Sequence, residues 1–181
     1  MVVRRSWTYC DCMAAVQDIL RQPPPRRAAL RDLMAELLSQ NPFDRRCAAD
    51  LARRLSARQP GILSQYADAL FDLVAKLPPD QWQVRGWITM AAALNARTHT
   101  QRMRLAALVR SMSQDKRVGV RAMALEAFTV LAAAEPSLRD EVMPLIEQAR
   151  MSESVAMQMR ARRMLRLPWR PDKLGKPRRC L

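Results

Sequence analysis

The sequence predicts an all-α fold made of paired helices, and three observations carry the prediction. Ala, Leu, Arg, Met and Gln dominate the 181 residues, with only 4 Gly and 5% aromatic residues. The abundant types are good helix formers, whereas a sheet protein draws on turn glycines and on aromatic or β-branched strands. Apolar residues recur at three- and four-residue spacing, the signature of a helix with one buried face. Prolines fall between these stretches at Pro23-Pro24-Pro25, Pro42, Pro60-Gly61, Pro78-Pro79 and Pro136, where they end one helix or open the next.

Taken in order, an N-terminal helix is expected over 8–21. A second covers 26–40, with Leu30, Leu33 and Leu37 on one face. Pro42 opens a third over 42–57. Leu63, Tyr66, Leu70, Leu73 and Leu77 define 61–77, and Trp87, Ile88, Ala91 and Leu94 define 81–96. Met103, Leu105, Leu108 and Met112 mark 100–113, while Leu125, Phe128 and Leu131 mark 117–134. Leu138, Val142, Leu145 and Ile146 give 137–150, and the last helix runs over 155–167, stopped by Pro168. The coil between helices is short, as in antiparallel pairs. Four pairs therefore follow one leading helix.

The pairs are copies of one another. Asn41-Pro-Phe-Asp-Arg-Arg46-Cys, Asp80-Gln-Trp-Gln-Val-Arg85-Gly, Lys116-Arg-Val-Gly-Val-Arg121-Ala and Val155-Ala-Met-Gln-Met-Arg160-Ala align on their arginines, with spacings of 39, 36 and 39. Three residues before each Arg stands an apolar residue (Phe43, Trp82, Val118, Met157). One residue after stands a small one (Cys47, Gly86, Ala122, Ala161), suited to the close approach of a neighbouring helix. Trp82 and Cys47 are read as core by this phase. A fixed period of this length is the mark of a repeat architecture.

These motifs resemble the HEAT-repeat family, whose repeats carry an acidic turn residue and then Val-Arg at the start of the second helix. Asp80 with Val84-Arg85 and Asp115 with Val120-Arg121 match. Glu153 or Ser154 with Met159-Arg160 is a looser match, and Asn41 with Arg45-Arg46 lacks both the acid and the Val. The resemblance covers residues 26–168, as repeats over 26–58, 60–97, 98–134 and 136–168. It implies a right-handed superhelix, or α-solenoid, with the second helices lining a concave side. It also implies a structural ladder of Arg46, Asp80, Arg85, Asp115, Arg121 and Arg160. Residues 1–25 then form an N-terminal segment with a capping helix, and 169–181 a basic tail read as disordered.

The formal charge of +14 suggests an anionic partner. Its distribution is uneven: +4 over residues 1–31, +8 over 160–181, +6 over 97–121 and −4 over 122–159. The body between the two ends is thus nearly neutral, unlike a duplex-binding groove, where each neutralised phosphate needs its own cation. No secretory signal is visible at the N-terminus, and no apolar run is long enough to span a bilayer, so a cytoplasmic protein is expected. Residues 1–12 differ from the rest, and Met13 is an alternative start. Cys10-x-Cys12 lacks the second pair that a zinc site needs. His99, the single histidine, sits in a turn. Without it no Ser-His-Asp set can be assembled, and no phosphate loop is present, so neither catalysis nor a cofactor or metal is expected.

A non-catalytic scaffold that binds another protein on its concave surface is the leading expectation. Trp87, Met123, Arg162, Arg163 and Arg166 are its candidate contacts, and a late cluster of methionines suits a plastic surface. The second expectation is non-specific nucleic-acid binding through Arg97, Arg102, Arg104, Arg110, Arg117, Arg170, Lys173, Lys176, Arg178 and Arg179. The third, from the enzyme class, is kinship with the HEAT-like alkylpurine DNA glycosylases; the acid that family uses has no match here.

Overall fold

A computed structural model describes residues 9–22 and 26–165, with side chains from Ala14 onward. All regular structure among the described residues is helical. The helices are α1 (Tyr9–Arg21), α2 (Arg27–Leu37), α3 (Pro42–Arg58), α4 (Ala67–Lys76), α5 (Trp82–Asn95), α6 (His99–Ser113), α7 (Val118–Ala134), α8 (Arg139–Arg150) and α9 (Val155–Met164). They correspond one to one with the expected helices, α4 starting later than expected and residues 166–167 of the last lying outside the described residues. The chain divides into two units, 1–101 and 102–181, with the division inside α6.

In the first unit α2 packs on α3 and α4 on α5, while α3 and α5 stack on each other and α1 lies against α3. The stacked helices carry Ala49, Ala52, Ala91 and Ala92, each at most 2% exposed. Small side chains let helix axes approach closely. Leu37, Leu55, Leu70, Val74 and Ile88 fill the space around them, all fully buried. At about 25 cal/mol per Å² of apolar surface, burial of side chains like these supplies most of the stabilisation.

The expected helix 61–77 is shorter than the periodicity suggests, and the reason is local. Gly61 adopts φ +86°, which only glycine takes without strain, and its N–H donates to Leu94 O at 3.1 Å. Two residues later Leu63 N donates to Asn95 Oδ1 at 2.7 Å. The end of α5 thus pins the segment as a turn, and a 3-10 turn (Ser64–Tyr66) leads into α4.

In the second unit α7 is the central element. Ala122, Ala124, Ala127, Phe128, Leu131 and Ala132 are all fully buried, and α8 and α9 both pack on α7 and on each other. Arg160 of α9 ties to Glu126 of α7 at 3.3 Å. From α6, Arg110 reaches Glu141 of α8 at 2.5 and 2.7 Å and lies 5.8 Å from the Phe128 ring centre. Pro144 sits inside α8, on the exposed side, where a missing backbone donor is tolerated more cheaply.

Candidate binding surfaces

The helix starts fix the repeat register. The fourth residues of α3, α5, α7 and α9 are Arg45, Arg85, Arg121 and Gln158. Arg45 donates through Nη2 and Nε to Ser39 O at 2.6 and 3.1 Å. Arg121 donates through Nη1 to Asp115 O at 2.8 Å and to Lys116 O at 3.0 Å. Gln158 Nε2 donates to Ser152 O at 2.8 Å. Ser39, Asp115 and Ser152 each lie six residues upstream of their donor, two beyond the end of the first helix of the pair. One device therefore recurs: a long donor from the second helix folds back and satisfies a backbone carbonyl in the turn between the two helices.

This register corrects the ladder read from the sequence. Arg46 is exposed, and its neighbour Arg45 carries the bonds. Arg160 is two residues past the equivalent position and pairs with Glu126 instead. Asp80 is exposed, and the Asp115 carboxylate receives Arg117 N and Nη2, both at 2.8 Å, within its own turn. Arg85 keeps the right position without the bond: its Nε is buried and unpartnered. The turn before α5 is a 3-10 turn, Pro79–Gln81, which the turns before α3, α7 and α9 are not.

The apolar phase before the arginines divides, with Met157 buried at 7% and the other three at the surface. Trp82 and Val118 open their helices and are 36% and 37% exposed, and Phe43 is 47% exposed. Trp82 is therefore not core. The small residues fare better: Gly86, Ala122 and Ala161 are buried, and Cys47 is half-buried.

Of the expected protein contacts, Trp87 is half-buried beneath Arg53, whose guanidinium carbon lies 5.9 Å from the ring centre. Arg53 and Arg54 both pair with Asp50 at 2.6 Å. Sequence reading missed this cluster; the acid at 50 followed by arginines three and four residues on was its signal. Met123 is only 7% exposed, so it belongs to the core. Arg162 and Arg163 are exposed on α9, and Arg166 lies outside the described residues. The methionines divide, with Met112, Met123, Met157 and Met164 buried and Met151 and Met159 exposed at 78% and 65%.

The basic stretch 97–121 is largely committed internally. Arg102 pairs with Glu135 at 3.3 Å, Arg110 with Glu141 and Arg117 with Asp115. The hydrogen bond that Arg110 donates to the Glu141 carboxylate holds its guanidinium above its ordinary pKa, outweighing the opposing effect of burial. Arg97 lies over Gly61, reaching Pro60 O at 3.5 Å. Arg104 is exposed. Arg170, Lys173, Lys176, Arg178 and Arg179 lie outside the described residues.

Each unit has a cleft of about 460 Å³ between its successive helix turns. Leu38, Pro42, Arg45, Leu77 and Gln81 are among the residues lining the first. Arg121, Leu125, Met151, Glu153 and Met157 are among those lining the second. Among the described residues no three His, Cys, Asp or Glu side chains group as a metal site, and no helix is long and apolar enough to cross a membrane. Comparison with protein-family models, curated proteins and solved structures gives no match.

Proposed function

We propose that the chain is a HEAT-like solenoid, a right-handed superhelix of helix pairs, that acts in the cytoplasm as a non-catalytic scaffold binding another protein. Recurrence of the fold-back donor at Arg45, Arg121 and Gln158 supports the repeat reading. The observation that carries the binding reading is the placement of exposed apolar side chains. Leu38, Phe43 and Trp82 in the first unit, and Val118, Met151, Val155 and Met159 in the second, are all 36% exposed or more. All belong to helix turns or to the first residues of second helices, apart from Met159, which continues the set along α9. Within each unit such side chains stand beside a cleft, lined by Leu38 in the first and Met151 in the second, and exposed apolar side chains set together mark an interaction surface more readily than singly scattered ones do.

Arg162 and Arg163, both exposed, favour nucleic acid as the second reading. The ion pairs of Arg102, Arg110 and Arg117 weigh against it, because a cation already paired within the protein gains less from a phosphate. Affinity capture from the source cells distinguishes the two. Protein partners that survive nuclease and are lost with the double variant Phe43→Ser/Trp82→Ser support the scaffold. Capture abolished by nuclease overturns it in favour of nucleic acid.

A further inference from the structure

Among the described residues, α9 leaves open part of a face that α7, the preceding second helix, buries at Ala122, Leu125 and Thr129. In α7 the fifth, eighth and twelfth residues are Ala122, Leu125 and Thr129, exposed by 0%, 4% and 1%. With α9 stacked on α7, its buried residues are Met157, Ala161 and Met164, at the four- and three-residue spacing of one helix face. The first, fifth and eighth residues of α9, matching Val118, Ala122 and Leu125 of α7, are Val155, Met159 and Arg162. Val155 is 67% exposed and Met159 65%, and Arg162 and its neighbour Arg163 are exposed as well. α9 is thus apolar on two sides, one of them uncovered among the described residues.

On this side α9 presents a β-branched residue and a methionine beside two arginines. Met151, 78% exposed in the turn before the helix, lies instead at the cleft shared with Leu125 and Met157. The charge of the strip is set by the arginines. Arg160 on the adjoining flank is engaged by Glu126, and Glu153 is exposed in the preceding turn. Arg162 and Arg163 make no ion pair or hydrogen bond among the described residues.

We infer that this face of α9 docks an amphipathic helix of acidic character, supplied by a partner protein. The inference rests on the scaffold reading and names the chemistry of its partner. On α7 this side has a helix beside it: Leu125 lines one cleft with Met157 of α9, and the next residue, Glu126, pairs with Arg160. Its apolar stripe would lie on Val155 and Met159, where the unbranched thioether adapts to the incoming side chains. Its carboxylates would meet Arg162 and Arg163, whose guanidinium forks match carboxylate geometry. The apolar half of the strip is what separates this occupant from nucleic acid, which would use the arginines alone.

The test is fluorescence anisotropy on the full chain, with a labelled peptide helix bearing Leu at i, i+4, i+7 and i+11 and Glu elsewhere. The expected result is saturable binding. It weakens by about tenfold or more, roughly 1.4 kcal/mol, in Arg162→Glu/Arg163→Glu and separately in Val155→Ser/Met159→Ser. Both variants change exposed residues, and matching circular dichroism verifies their folding. A control peptide with Lys for Glu should not bind. The inference is overturned by absence of binding to the intact chain. Equal binding of the Lys peptide, or loss of binding in the arginine variant alone together with competition by duplex DNA, also overturns it. Concentration-dependent self-association that Met159→Ser abolishes and the peptide does not compete would assign the face to a second copy. If the peptide fails while cross-links to protein form at Trp82, this inference falls and the scaffold reading stands.

Discussion

Asn95 holds the first unit together through three hydrogen bonds, and its loss should be costly for a single surface-sized change. The residue is fully buried at the end of α5. Its Oδ1 accepts from Leu63 N at 2.7 Å. Its Nδ2 donates to Ser56 Oγ of α3 and to Ala91 O, both at 2.7 Å. Asn95→Ala leaves the Leu63 N–H and the Ser56 hydroxyl without partners in sites where both residues are 0% exposed. An orphaned buried donor or acceptor costs about 1–3 kcal/mol. Two of them, softened by any water that enters, give about 2–5 kcal/mol. For a chain of this size each kcal/mol corresponds to about 2–4 °C in Tm, so a fall of roughly 5–15 °C is expected by circular dichroism. Urea titration gives the free energy directly. A double-mutant cycle with Ser56→Ala sharpens the result, because Ser56 has only Asn95 to lose; the double variant should cost about 0.5 kcal/mol or more less than the sum of the singles. A loss below about 0.5 kcal/mol for Asn95→Ala, or strict additivity in the cycle, would refute the reasoning.

Three further outcomes follow from the same geometry. Ala122→Leu adds three carbons at a 0% exposed site and should cost about 1–3 kcal/mol by overpacking, read as a lower urea midpoint at constant slope. Arg121→Ala should lose about 1–3 kcal/mol with its two bonds to Asp115 O and Lys116 O, whereas Arg85→Ala, whose buried Nε has no partner, should cost markedly less; equal losses in parallel thermal melts would contradict the fold-back device. Any binding of a labelled duplex should lie in the range of about 10⁻⁴ to 10⁻⁶ M at physiological salt and fall steeply as salt rises, and truncation after Leu167 should reduce it without unfolding the repeats; tight, salt-resistant binding by the truncated chain would argue for a built nucleic-acid site.

Helix positions were legible because they depend on local pattern. Leucine spacing and proline punctuation placed all nine helices described, and the buried Ile88, Leu125, Phe128 and Leu131 lie where the periodicity puts them. Register within the helices was less legible. The alignment followed arginine, but the physical requirement is a long donor at the fourth helical position, which Gln158 meets as well as Arg121 does. Adjacent Arg45 and Arg46 offered two phases, and composition alone does not choose between them. Trp82 was misread for a related reason: a first helical residue follows the turn, and its side chain faces solvent even when its type is apolar. The internal ion pairs of Arg102 and Arg110 join residues more than thirty positions apart, so the apparent basic patch could be discounted only once the helices were packed. Asn95 gave no signal, since a buried amide is defined by partners from three separate segments.

The scaffold reading is tested most directly by site-specific photo-cross-linking in the source cells. A photoreactive residue is placed in turn at Trp82 and at Val155, on the exposed apolar set, and at Ala69 and Ala107, exposed on α4 and α6. The account predicts discrete protease-sensitive, nuclease-resistant adducts at Trp82 and Val155 and none at Ala69 and Ala107. Adducts that are nuclease-sensitive, or that form equally at all four positions, would contradict it.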